Sequence, residues 1–213
     1  MSQMNYAIAL KDPLFKNIGR VADELGLETY VVGGFVRDVI MGRASRDVDF
    51  VCVGSGISLA NAVAKSLGPD VHVNVYKNFG TAHIPYHDFN LEFVGARKES
   101  YRSDSRKPAV EDGTLKDDQL RRDFTINAMA LRLNEQDFGD LVDPFEGVSD
   151  IRKKTIRTPT DPKITFSDDP LRMMRAIRFA SQLGFDIEPD TYEAIVHMAD
   201  RITMFRRNGL LMN

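Results

Sequence analysis

The sequence predicts an α+β fold, with a small mixed or antiparallel-leaning sheet in residues 1–158 and the start of an all-helical unit in 159–213. Three observations carry that expectation. Helical and strand-like spacings alternate as far as Leu67. Three short apolar runs then follow with only turn residues between them, a meander rather than a crossover. From Pro170 onward only helical periodicity is left.

The elements follow in order. Leu14, Ile18, Val21, Ala22 and Leu25 share one helical face, so Pro13–Leu25 reads as a helix that Gly26 ends. Thr29–Val32 is a short β-prone run broken by Gly33-Gly34, and Phe35–Met41 is a helix closed by Gly42. Asp47–Val53 is a strand stopped by Gly54-Ser55-Gly56; Ile57–Leu67 is a helix stopped by Gly68-Pro69. Val71–Tyr76, Thr81–Pro85 and Asn90–Gly95 form the meander. Residues 97–119 are charged, contain Pro108 and Gly113, and hold few apolar side chains, so a long mobile loop is expected there. Leu120–Leu133 returns to helix, Leu141-Val142 precedes Asp143-Pro144, and Gly147 breaks the chain before Ser149–Lys154. Pro170–Leu183 and Pro189–Arg201 are the helices of the last part.

Composition bounds the function classes. Hydrophobic residues make up 43% of 213 residues, enough for a proper core and against global disorder. The formal net charge is −3, so contact with nucleic acid must come from local patches: Arg97 to Lys107, Arg152 to Arg157, and the arginines from Arg172 to Arg178. Cys52 is the only cysteine, which excludes an intrachain disulfide and a cysteine-rich zinc site. The N-terminus lacks a basic start followed by an apolar run, and no stretch approaches the roughly 18 apolar residues of a membrane span. A cytoplasmic setting is expected. His83 and His87 are four apart, but Pro85 between them prevents a regular helix, and no histidine metal site is expected.

Chemistry concentrates in two early motifs. In Asp47-Val48-Asp49, strand alternation points both aspartates to one face and Val48 to the other. Paired carboxylates repel unless a cation lies between them, and oxygen-only ligands suit magnesium. Upstream, Gly33-Gly34 between a strand and a helix lets backbone approach a ligand closely, with helix N–H groups available to phosphate. Arg37 follows one turn later, in reach of a triphosphate oxygen. This is not GxGxxG, and no acidic residue follows at the ribose-reading distance of a dinucleotide fold. Glu92, between Leu91 and Phe93, is either a solvent-facing strand residue or a third carboxylate of the site.

These segments together resemble the class II tRNA nucleotidyltransferase and bacterial poly(A) polymerase family of the DNA polymerase beta superfamily. GGFVRDVIMG…RDVDFVCVG is similar to its first motif and RRDFTINAMAL (Arg121 to Leu131) to its second. DPFEGVSDIRKKTIRT (Asp143 to Thr158) resembles the third, and DDPLRMMRAIRFA (Asp168 to Ala180) the nucleotide-reading helix. All four stand in family order between about Tyr30 and Ala180.

The resemblance implies a nucleotidyltransferase head over 1–158 and the start of a helical neck over 159–213, with the body and tail that hold tRNA missing from a truncated chain. It implies that Asp47 and Asp49 bind two catalytic magnesium ions with Glu92 as third carboxylate. It places Gly33, Gly34, Arg37 and one of Arg121 and Arg122 at the triphosphate, and Asp123 near the sugar. Asp169 and Arg172 would read the base, with Arg175 and Arg178 supporting them or binding phosphate. Where the family often has Glu-Asp, this chain has Asp168-Asp169. The activity implied is CCA addition to tRNA 3′ ends from CTP and ATP. Poly(A) synthesis and partial CC- or A-addition share the head motifs, and a non-catalytic nucleotide- or RNA-binding module is the rival of another class. The loop after the third meander strand is implied to switch the site between nucleotides. The end, FRRNGLLMN, resembles no segment of the family.

Overall fold

A computed structural model describes residues 4–102 and 105–202, and the side chains of 99–110 lie outside the described part. The strands are β1 (Thr29–Val32), β2 (Asp47–Cys52), β3 (Asn74–Tyr76), β4 (Thr81–Tyr86), β5 (Phe89–Gly95), β6 (Arg97–Arg102), β7 (Ser105–Asp112), β8 (Ala130–Arg132), β9 (Leu141–Val142), β10 (Thr155–Ile156) and β11 (Asp186–Ile187). The α-helices are α1 (Pro13–Glu24), α2 (Gly34–Ile40), α3 (Gly56–Leu67), α4 (Leu115–Leu120), α5 (Gly147–Lys153), α6 (Pro162–Asp168), α7 (Leu171–Leu183) and α8 (Pro189–Met198).

The α+β expectation holds. Seven strands form the central sheet in the order β3-β4-β5-β2-β1-β8-β9. Every neighbouring pair is antiparallel except β2 and β5, which run parallel because α3 and the β3–β4–β5 meander bring the chain back beside β2. Alternation then gives the sheet two different faces. Val48, Phe50, Ala82, Ile84, Leu91 and Phe93 point one way and are wholly buried with Leu14, Phe15 and Ile18 of α1 and Leu59 and Val63 of α3. Phe50 and Phe93 stack with ring centroids 4.7 Å apart, a contact whose truncation would cost about 3–5 kcal/mol. The intervening residues Asp47, Asp49 and Glu92 emerge on the other face.

Asp12 caps α1 by accepting from the Leu14 amide at 2.9 Å, and Ser55 caps α3 by accepting from the Ser58 amide at 3.2 Å. A second core lies under α7, where Phe166, Met173, Ala176 and Phe179 meet Phe124, Ile126 and Ile156. This packing fastens the RRDFTIN segment to the late helices.

Three expectations need correction. Residues 97–119 are not a loop: β6 and β7 form an antiparallel hairpin running from the Arg97–Asp112 pair inward, and α4 follows with a capping box between Thr114 and Asp117. Ladder bonds come from backbone, so a charged ribbon gives no apolar periodicity to read. Leu120–Leu133 is not a helix: it holds a 3₁₀ turn at Thr125–Asn127 and then β8. Phe124, Ile126, Met129, Ala130 and Leu131 are all buried, and a run buried on every side has no face to show a period. The stretch after 158 is not purely helical, because β11 pairs in parallel with β10. The basic side chains of 99–107 and the segment FRRNGLLMN fall outside the described residues. Among the described residues no helix is long and apolar enough to cross a membrane.

Candidate active site

Strand register sets a transverse row of side chains on the second face of the sheet, open from β3 to β2 and closed at β1, where Val32 is buried. Asn74 of β3 pairs with His83 of β4, His83 with Glu92 of β5, Glu92 with Asp49 of β2, and Asp49 with Val32 of β1. Asp49 and Glu92, forty-odd residues apart in sequence, are thus adjacent because β2 and β5 run parallel. Asp47 lies one step along the same face beside Asn90, whose Nδ2 donates to Asp47 Oδ1 at 2.8 Å. Solvent still reaches Asp49 through the cleft. Crowding of its carboxyl nevertheless raises its pKa by desolvation; Arg122 pulls the other way, and the charges of Glu92, Asp47 and Asp118 push it up further.

The turn between β1 and α2 faces this row. Gly33 has φ +74°, a conformation that favours glycine, and a Cβ there would lie 3.0 Å from Arg122 Nη1 and 3.4 Å from Asp49 Oδ2. A side chain would fill the space between the carboxylate and the guanidinium. One turn into α2, buried Arg37 donates through Nη1 to Asn127 Oδ1 at 2.9 Å and through Nε to Asp38 Oδ1 at 2.9 Å.

The Arg-Arg-Asp segment is held by a residue that sequence reasoning missed. Asp118, fully buried in α4, accepts from Arg121 through Oδ1, and from Arg122 Nε at 3.1 Å and Nη2 at 2.9 Å through Oδ2. Burial alone would raise the Asp118 pKa, but the two guanidiniums outweigh it and hold the carboxyl below its ordinary value. The signal was available in sequence: an acid three and four positions ahead of paired arginines can reach both on a helix end.

Asp123 is engaged on both oxygens. Oδ1 accepts from the Phe124 amide at 2.8 Å and Asn127 Nδ2 at 3.1 Å, while Oδ2 accepts from Arg175 Nε at 2.6 Å. From α7, Arg172 donates through Nη2 to the Arg121 carbonyl at 2.7 Å, which ties the late helix to the arginine pair. Asp169 Oδ1 accepts from the Leu171 amide at 3.1 Å. The Phe179 ring is shared by three guanidiniums, with Arg37, Arg175 and Arg178 at 5.3, 5.2 and 4.9 Å from its centroid.

All of the candidate residues except Asp47 and Arg178 line one cleft of about 580 Å³. Thr81, Val94, Asn127 and Phe179, none of them assigned to the site from sequence, line it too, as does Arg97, the first residue of one of the basic patches. Carboxylates occupy the sheet wall, while Arg37 comes from α2, Arg121 and Arg122 from the end of α4, and Arg172 and Arg175 from α7. Among the described residues no three histidine, cysteine, aspartate or glutamate side chains converge as a ready-made metal cluster. The donor set nevertheless fits a divalent cation: Asp49 and Glu92 offer hard oxygen ligands side by side, and a cation would offset the Glu92 and Asp47 charges that add to the desolvation raising the Asp49 pKa. Asp47 would complete that set on releasing Asn90.

A mixed sheet with carboxylates on one wall and an arginine-rich cradle facing them is the architecture of a nucleotidyltransferase head. Residues 29–157 match the Poly A polymerase head domain, and the chain belongs to that family. Enzymes of this family generally use divalent metal ions. The chain is 42% identical over 189 residues to an A-adding tRNA nucleotidyltransferase of Aquifex aeolicus, covering 88% of this chain and 22% of that protein. It is 39% identical over 189 residues to a CCA-adding enzyme of Bacillus pumilus, covering 86% of this chain and 45% of that protein. It therefore spans less than half the length of these relatives. A solved tRNA nucleotidyltransferase in complex with a primer tRNA and an incoming ATP analog superposes with a TM-score of 0.75 at 40% identity, over 86% of this chain and 50% of that one. The CCA-adding enzyme in its apo form II gives 0.85 at 34%, over 97% and 50%.

Proposed function

We propose that this chain is the head and the start of the neck, divided near residue 158, of an enzyme that adds nucleotides from CTP and ATP to the 3′ end of tRNA. The observation that carries the reading is the facing of two walls: the Asp49–Glu92 pair on the sheet, and the guanidiniums set around Gly33 across the cleft. In the reaction the 3′-oxygen of the acceptor bonds to the α-phosphorus while the bond to pyrophosphate breaks. Two magnesium ions held by Asp47, Asp49 and Glu92 would neutralise the charge that develops on the phosphate and lower the pKa of the attacking hydroxyl. The chain's own groups do the remaining work. Arg37, Arg121 and Arg122 hold the triphosphate, with Gly33 and Gly34 leaving room for it. Asp123 lies at the sugar, and Asp169 and Arg172 present an acceptor and a donor to the base edge, supported by Arg175 and Arg178. On their pairing edge cytosine and adenine share an amino donor beside an unprotonated ring nitrogen, which such a pair accepts, whereas uracil and guanine present a carbonyl oxygen beside a ring N–H there.

Addition of A alone is the second reading, favoured by the names of relatives at 42% and 41% identity. One experiment separates them. The chain is incubated with magnesium, tRNA ending before C, after CC or after CCA, and each NTP, and the 3′ ends are sequenced. CCA addition is supported by CTP incorporation on the first acceptor and ATP incorporation on the second. ATP incorporation on the second alone would support the A-adding reading. No incorporation on any acceptor would overturn both.

A further inference from the structure

A two-substrate transfer needs a second subsite, and the structure offers one on the far flank of the carboxylates. Of the described arginines of the main cleft, Arg37 lies on the β1 and α2 side of Asp49 and Arg172 and Arg175 come from α7, with Arg121 and Arg122 from the end of α4 and Arg97 from the start of β6. On the opposite side, beyond Glu92 in the sheet order, β4 and β3 carry the open face to the sheet edge. A separate cavity of about 290 Å³ sits there, lined by Tyr76, Thr81, His83 and Glu92. Thr81 and Glu92 line both cavities, so the two adjoin at these residues.

The chemistry of the two flanks differs in kind. Among the described residues, the second cavity's lining holds no arginine or lysine, and so is poorly suited to a triphosphate. It holds instead a tyrosine ring with 52% of its surface exposed, a threonine hydroxyl and an imidazole. Register fixes their arrangement: Tyr76 is opposite Thr81 and His83 is opposite Glu92, all with side chains on the open face, while Ala82 and Ile84 between them are buried in the core. An exposed ring on an edge strand has no packing duty in the fold. A flat π surface beside hydroxyl and imidazole groups, leading to a carboxylate, matches a nucleoside: a base to stack and a ribose to hydrogen-bond.

We infer that the Tyr76–Thr81–His83 surface receives the terminal nucleoside of the RNA acceptor, its base stacked on Tyr76 and its ribose hydroxyls directed toward Glu92. This rests on the reading that the chain transfers nucleotides to RNA, and it adds which residues hold the acceptor.

The test is equilibrium binding of a fluorescent acceptor-stem minihelix with a single-stranded 3′ overhang to the full 213-residue chain, beside a separate titration with ATP and magnesium. Tyr76→Ala is expected to weaken minihelix binding about tenfold, the size of losing one base–aromatic stack. Tyr76→Phe keeps the ring and should bind like the unsubstituted chain, while ATP affinity should be unchanged in both. Because Tyr76 is exposed, neither variant removes core packing. The inference is overturned if Tyr76→Ala binds the minihelix as the unsubstituted chain does, if it loses ATP affinity in the same proportion, or if the unsubstituted chain shows no minihelix binding. Nucleotide incorporation is scored separately: an active chain in which Tyr76→Ala leaves minihelix affinity unchanged loses this inference alone, whereas an inactive chain loses the functional reading.

Discussion

Asp118→Asn tests how the arginine pair is held. The substitution keeps the side-chain volume and removes one buried charge that serves two guanidiniums. Breaking a buried ion pair from one side typically costs about 3–5 kcal/mol, because the partner charge stays behind uncompensated. Here Asp118 is 0% exposed, but Arg121 and Arg122 keep 18% and 16% of their side-chain surface in contact with solvent. Both can recover some hydration through the cleft, so the lower end applies, about 3 kcal/mol. With a urea m-value of about 2 kcal/mol/M, the unfolding midpoint should fall by about 1.5 M. The pH dependence has a definite sign. The folded Asp118 pKa lies below its ordinary value, so its stabilisation is fully present above the unfolded value of about 3.9 and is lost as pH falls through the folded one. The gap between the two proteins should be constant from pH 5 to 8 and shrink at more acid pH. Loosened guanidiniums should also raise the KM for NTP more than they lower kcat. A destabilisation below about 0.5 kcal/mol, with the NTP KM unchanged, would refute the claim that Asp118 positions this pair.

Other consequences are direct. Gly33→Ala should weaken ATP binding and cost about 1–3 kcal/mol in urea melts, since φ +74° strains an L-residue and its Cβ meets Arg122 at 3.0 Å; equal ATP affinity would remove the turn from the triphosphate site. Asp169→Ala should lower the CTP-to-UTP ratio of kcat/KM at least about tenfold with a smaller loss of turnover, and an unchanged ratio would exclude it from base reading. Cys52 is fully buried with its thiol pushed up to about 12, so a thiol reagent at pH 8 should label it only at the rate of unfolding; rapid labelling of the folded chain would contradict its place in the core.

Most of the sheet was legible because its strands are half-buried. Asp47-Val48-Asp49 and Leu91-Glu92-Phe93 alternate visibly, and alternation is what a strand with one wet face must show. That Asp49 and Glu92 stand side by side was not legible, since adjacency depends on β5 returning parallel to β2, a property of the whole path. The β6–β7 hairpin escaped because its pairing is backbone to backbone under charged side chains. The segment after Arg122 escaped for the opposite cause: Phe124 through Leu131 is buried throughout, so no period survives. Resemblance to the motifs supplied candidates that no local pattern would have chosen, Asp169 and Arg172 among them. It was silent on Asp118, whose role appears only when both arginines are seen to close on one carboxylate.

The most direct measurement is nucleotide incorporation into tRNA lacking its 3′ CCA by the Asp49→Ala chain, with magnesium and labelled CTP and ATP, alongside ATP binding measured without turnover. Asp49 lies at the edge of the cleft rather than in the core, so folding should persist, as circular dichroism can verify. The account predicts incorporation reduced by a factor of about 10³ or more, comparable to losing a main source of transition-state charge stabilisation, with the fold intact. Incorporation above about a tenth of the unsubstituted rate would contradict the assignment of the Asp47, Asp49 and Glu92 face as the place where the phosphoryl group is transferred.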